Sequence, residues 1–141
     1  MARKVINPKS TGTIVFATSE AGLTSSPVAA SDQVIAFRIT PRPNLTNVPA
    51  TYGEAASESA SASGFQVELS ILQDWGASAS VSEFLFDNDG ASVWVKHDPA
   101  GSSEPTFTAN VYAVAGGWGG AADESWVDDL TLPCVATPTY T

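Results

Sequence analysis

Residues 65–72 read Phe65-Gln66-Val67-Glu68-Leu69-Ser70-Ile71-Leu72, and this stretch decides the fold class. Phe65, Val67, Leu69 and Ile71 alternate with Gln66, Glu68 and Ser70, so a period of two places the large apolar side chains on one face of a strand. Working outward, Thr13–Ala17 is a short strand, and residues 33–40 form another. In the latter, Ile35, Phe37 and Ile39 share the buried face, opposite Val34, Ala36 and Arg38. Ala91–His97 sets Val93 and Val95 against Trp94. Thr106–Ala115 aligns Phe107, Ala109, Val111 and Ala113, and Trp126–Cys134 aligns Trp126, Asp128, Leu130, Leu132 and Cys134.

One helix interrupts the strands. Ser80 precedes Glu83 by the capping-box spacing, Val81, Phe84 and Leu85 follow at i, i+3 and i+4, and Gly90 suits a left-handed stop. The expected helix spans about 80–88. Pro41 and Pro43 are expected to end the second strand, since proline donates nothing to a ladder. Residues 41–64 then lack any period, and we expect a long loop there, or an extended hairpin ordered by a partner. The whole is one domain over 1–141 with an N-terminal arm (1–12), mainly β: a β-sandwich or partly closed β-barrel with one short helix.

Charge narrows the function classes. Six Lys and Arg against fifteen Asp and Glu give −9 in 141 residues, which excludes a nucleic-acid coat built on basic clusters. A single cysteine excludes a disulfide framework and a cysteine-based zinc site. Residues 1–42 hold Arg3, Lys4, Lys9, Arg38 and Arg42 against Glu20 and Asp32, a balance of +3. Residues 43–141 hold Lys96 against thirteen carboxylates, a balance of −12. A basic end and an acidic remainder suit head-to-tail attraction between copies. Val5-Ile6 is followed by Asn7-Pro8-Lys9, which is no signal-peptide core, and no run approaches the ~20 apolar residues of a membrane helix. The expectation is a soluble product of the cytosol with Cys134 reduced.

Catalytic signals are weak. Cys134 alternates with Leu130 and Leu132 and reads as core; His97, beside Asp98-Pro99, reads as a surface turn residue. Asp87-Asn88-Asp89-Gly90 opens like a calcium loop, but Ala91 and Ser92 occupy positions that need a ligand and a glycine. Asp123-Glu124 and Asp128-Asp129 are neighbours in sequence, and neighbours on a strand face opposite ways, so neither is a ready carboxylate dyad. Gly116–Gly120 surrounds Trp118 without a phosphate-binding lysine and reads as a flexible turn. No enzyme, cofactor or metal is expected. Trp75, Trp94, Trp118 and Trp126 serve a core, a protein interface or, with Trp94 and Trp118 exposed, a sugar-stacking face.

The segment Phe65–Cys134 resembles the tail tube (major tail) proteins of long-tailed bacteriophages, especially those of actinobacteria. The resemblance lies in Val67-Glu-Leu-Ser-Ile-Leu-Gln-Asp-Trp75, Ser82-Glu-Phe-Leu-Phe-Asp-Asn-Asp-Gly90, Val93-Trp-Val-Lys96, Pro99-Ala-Gly101, Pro105-Thr-Phe-Thr-Ala-Asn-Val111 and Trp126–Pro133. It covers about half of the chain as an order of segments. Phe86-Asp87 departs from the usual Trp-Glu, and Ala109 stands near a customary glycine.

The resemblance implies a structural virion protein, made in the host bacterial cytoplasm and located in the virion tail. It implies self-assembly into hexameric rings stacked as a DNA conduit. Its implied partners are copies of itself and the tape measure, terminator and distal tail proteins; genomic DNA passes without specific binding, and no membrane is involved. Glu54, Glu58 and Glu68 are candidate lumen-facing carboxylates. Arg3, Lys4, Lys9, Arg42, Tyr52 and Trp118 are candidate contacts between subunits or rings. The alternatives are a head decoration or tail terminator protein, and a carbohydrate-binding β module.

Overall fold

A computed structural model describes residues 12–76, 80–99 and 105–141. The elements run β1 (Thr13–Ala17), α1 (Gly22–Ser25), β2 (Val28–Ala29), β3 (Val34–Val48), β4 (Ser57–Leu72), α2 (Val81–Asp87), β5 (Ser92–Asp98), β6 (Phe107–Tyr112), β7 (Val127–Pro133) and β8 (Thr139–Tyr140). They form two antiparallel sheets, ordered β2-β1-β5-β6-β8 and β3-β4-β7. The protein is mainly β, a sandwich with a short helix and no closed barrel. The two-residue strands β2 and β8 and the four-residue α1 escaped the sequence reading, because elements that short carry no periodicity.

The alternation in 65–72 does what its chemistry demands. Val67 and Ile71 are fully buried and Leu69 nearly so, in one core with Phe16 of β1, Val93 and Val95 of β5, Val111 of β6 and their sheet neighbour Leu132 of β7. Each such side chain contributes roughly 1.5–3 kcal/mol by leaving water. In β3, Phe37 and Ile39 pack against this core as expected, but Ile35 is 59% exposed. Val34 pairs with Ile71 and Ala36 with Ser70, so Ile35 is the extra residue of a bulge and the phase shifts there.

The stretch 41–64 is an extended hairpin rather than a loop. Pairing between β3 and β4 runs without a gap in either strand from Val34↔Ile71 to Val48↔Ser57 apart from two register shifts, and the loop proper is only 49–56. Pro41 and Pro43 therefore do not end the strand. β3 is an edge strand, and prolines two apart turn their nitrogens to the same side, where no donor is needed. The second register shift, which leaves Ser63 unmatched, falls beside Pro43.

Helix α2 keeps the predicted place and trims to seven residues. Ser80 accepts a hydrogen bond from the Glu83 amide at 3.2 Å, while the buried Gln33 side chain accepts from the Val81 amide at 2.9 Å. Two amides that lack helical partners are thus satisfied. The reciprocal half of the box is absent, because the Glu83 carboxylate accepts from the Gly76 amide instead. Val81 and Leu85 are fully buried, and Phe84 packs against Phe16 with ring centroids 5.9 Å apart.

Candidate functional site

The hairpin arm is the first candidate surface. Beyond Pro41 and Phe65 it leaves the core: residues 41–43 and 47–58 are exposed. A turn at its tip is closed by the Thr51 amide donating to the Glu54 carbonyl at 2.8 Å, and the Glu54 amide donating to Thr51 Oγ1 at 3.2 Å. Tyr52 is fully exposed at this tip, with Glu54 and Glu58 alongside, and Val48 is half exposed. The Arg42 side chain reaches across to Gly64, where a Cβ would lie 2.8 Å from Nη2.

Glu68 lies elsewhere. It stands in the middle of the three-stranded sheet, paired with Arg38 and Thr131, and accepts from Thr40 Oγ1 at 3.3 Å and Gln66 Nε2 at 3.1 Å. Ten residues of strand separate it from Glu58, about 33 Å at the usual rise. The three candidate lumen carboxylates therefore do not converge on one patch. Arg3, Lys4 and Lys9 lie outside the described residues.

The second surface is aromatic, and sequence reasoning did not assemble it. Trp75 meets Phe86 at 5.9 Å and Trp118 at 5.6 Å, and Trp118 meets Trp126 at 5.5 Å, all edge to face. Trp94 belongs to another neighbourhood, opposite Asn110 and Ala17 in the five-stranded sheet. The glycine-rich turn that carries Trp118 is held, not loose. Gln73 donates through Nε2 to the Gly119 carbonyl at 3.1 Å and accepts from the Gly119 amide at 3.0 Å. Asp128 accepts from Gln73 at 3.2 Å and from the Gly117 amide at 3.1 Å. The glycines are required by proximity: a Cβ on Gly120 would sit 2.4 Å from Trp126 Cδ1. Trp126 Nε1 donates to the Ala121 carbonyl at 3.2 Å, whereas Trp75 Nε1 is buried without an acceptor among the described residues. No local motif announces this cluster, since its four rings come from positions 75, 86, 118 and 126.

His97 is the third feature, and it is not a turn residue. It pairs with Ile14 and Phe107 inside β5 and stacks on Phe37 with centroids 4.7 Å apart. Phe37, Arg38, Ile39, Phe65, His97 and Phe107 line an open recess of about 340 Å³. Burial pushes the His97 pKa below 6.5, against the opposing pull of Asp98. Cys134 packs against the core, and burial raises its pKa although Arg42 acts the other way. A thiol held protonated in this way is a poor nucleophile.

The remaining carboxylates serve turns and strands. Asn88 Nδ2 donates to the Phe84 carbonyl at 2.8 Å, Asp89 accepts from the Ala115 amide at 2.9 Å, and Gly90 takes φ +81°. The Asp87–Gly90 run is thereby the helix exit. Asp128 faces the glycine turn while Asp129 accepts from Ser70 Oγ. Among the described residues no three His, Cys, Asp or Glu side chains gather as metal ligands, and no helix is long and apolar enough to cross a membrane. No known family model matches the chain, and no curated protein matches it in sequence.

Proposed function

We propose that this chain is a structural virion protein whose copies associate into stacked, hexameric rings forming a phage tail tube. The observation that carries the reading is the hairpin arm. Two strands of 15 and 16 residues extend past a core that needs only their basal halves. An exposed hairpin of this length gains little within one subunit, because isolated two-stranded ribbons are marginal in water. Its stability and purpose are understood if it packs on a neighbouring copy. The open outer edge of β3 adds a backbone surface suited to strand pairing between subunits.

Under this reading the acidity serves DNA passage. A lumen lined by carboxylates repels phosphate and prevents sticking. Glu54 and Glu58, exposed on the arm, are the first residues to test for it, with Glu68 a separate site on the sheet. Tape measure, terminator and distal tail proteins are the further partners this function requires.

Electron microscopy of the purified protein tests the proposal. Rings or tubes of phage-tail width are expected. Replacing residues 44–61 by Asn-Gly, which joins Pro43 to its partner Ala62 through a two-residue turn, should leave a folded protein that no longer assembles. A chain that stays monomeric at every concentration, or a shortened chain that assembles at the original rate, sinks the arm-based reading.

A further inference from the structure

The strand register sorts the described residues between the two ends of the sandwich, and one end is aromatic and acidic. At one end β4 finishes at Leu72, β5 begins at Ser92, β6 finishes at Tyr112 and β7 begins at Val127. The edge-to-face chain Phe86–Trp75–Trp118–Trp126 sits here, with Trp118 71% and Phe86 59% exposed. Segments 73–76, 80–90 and 114–129 build this end. They contain eight of the fifteen carboxylates and not one Lys or Arg. Asp74 and Asp87, next in sequence to Trp75 and Phe86, are exposed, as are Asp123 and Glu124 of the segment leading to Trp126. An exposed indole ring such as Trp118 in an acidic setting attracts guanidinium and ammonium groups.

The N-terminal segment supplies such groups. β1 begins at Thr13, which pairs with Asp98, the last residue of β5 and about 20 Å along the strand from Ser92. The eleven residues that precede the described chain have Arg3, Lys4 and Lys9 as their only charged side chains. The described chain thus begins at the end of the sandwich opposite the aromatic rings, an arrangement that suits a contact repeating from copy to copy.

We propose that the basic N-terminal segment of one copy docks on the aromatic, carboxylate-rimmed end of a second copy, with Arg3 and Lys4 against Trp118. The inference rests on the stacked-assembly reading above and supplies its axial contact. Trp118 is the anchor ring, and the rim carboxylates set the salt dependence.

Two full-length variants test it by sedimentation velocity. Trp118→Ala blocks the acceptor end, and the triple variant Arg3→Glu, Lys4→Glu, Lys9→Glu blocks the donor end. Each alone should associate about tenfold more weakly than the parent. Mixed in equal amounts they retain one productive pairing, so a mixed complex should form across that single contact and grow no further. Raising salt from about 50 to about 500 mM should dissolve it. A mixture that sediments as the sum of its parts overturns the inference. If Trp118→Ala fails to fold, a synthetic peptide of residues 1–11 added to the dilute parent chain should change tryptophan emission saturably. The same peptide with Gln at positions 3, 4 and 9 should not. Emission that responds to oligosaccharides and not to the peptide assigns the surface to a glycan and also overturns it. Tubes formed equally by parent and both variants defeat this contact and spare the tube; mixed complexes from a chain that never makes rings defeat the tube and spare the contact.

Discussion

His97 shows how tertiary surroundings redefine a residue. By sequence it sits next to Asp98-Pro99 and invites a turn assignment, but cross-strand pairing with Ile14 and Phe107 draws it inward onto Phe37. Burial disfavours the imidazolium, so the folded pKa lies below the ordinary 6.5. The unfolded chain therefore takes up the proton first as pH falls. Stability is present above about pH 6.5 and declines as pH drops through the folded value. Melting temperature measured from pH 7.5 to 5 should fall more steeply for the parent than for His97→Phe; parallel curves would exclude this role. Gly120 offers a second residue-scale test. Its Cβ would strike the Trp126 ring, so Gly120→Ala should cost about 1–3 kcal/mol in chemical denaturation, whereas Gly53→Ala, with open space around it, should cost little.

At the scale of elements, α2 was legible because its signals are local: a capping serine, an i, i+3, i+4 stripe and a terminal glycine. Removing the cap by Ser80→Ala should destabilise the protein by about 1 kcal/mol in urea unfolding. β3 was legible only in its first half. Its bulge at Ile35 and its passage through Pro41 and Pro43 depend on what lies beside it, namely β4 on one side and, among the described residues, no strand on the other. Exposure at the bulge has a direct consequence. Ile35→Ser should leave the denaturation midpoint nearly unchanged, while Ile71→Ala, at a fully buried position, should cost about 2–5 kcal/mol. Equal losses at the two positions would contradict the register shift.

For the whole molecule, the division of charge gains a spatial meaning. The sequence alone separates a +3 segment from a −12 remainder; the strand register then sets Thr13, where β1 begins, and the carboxylate-rich aromatic corner at opposite ends of the sandwich. Self-association through such ends should weaken steeply with ionic strength, which light scattering across a salt series would register. Fold class, core strands and the short helix were written in the sequence, since alternation and capping act over a few neighbours and each choice is enforced by burial or by a free amide. The choice of hairpin over loop for 41–64, the inward turn of His97 and the meeting of Trp75, Phe86, Trp118 and Trp126 were decided only by tertiary structure. These depend on pairing partners and loop closures tens of residues apart, where no local period or propensity carries the information.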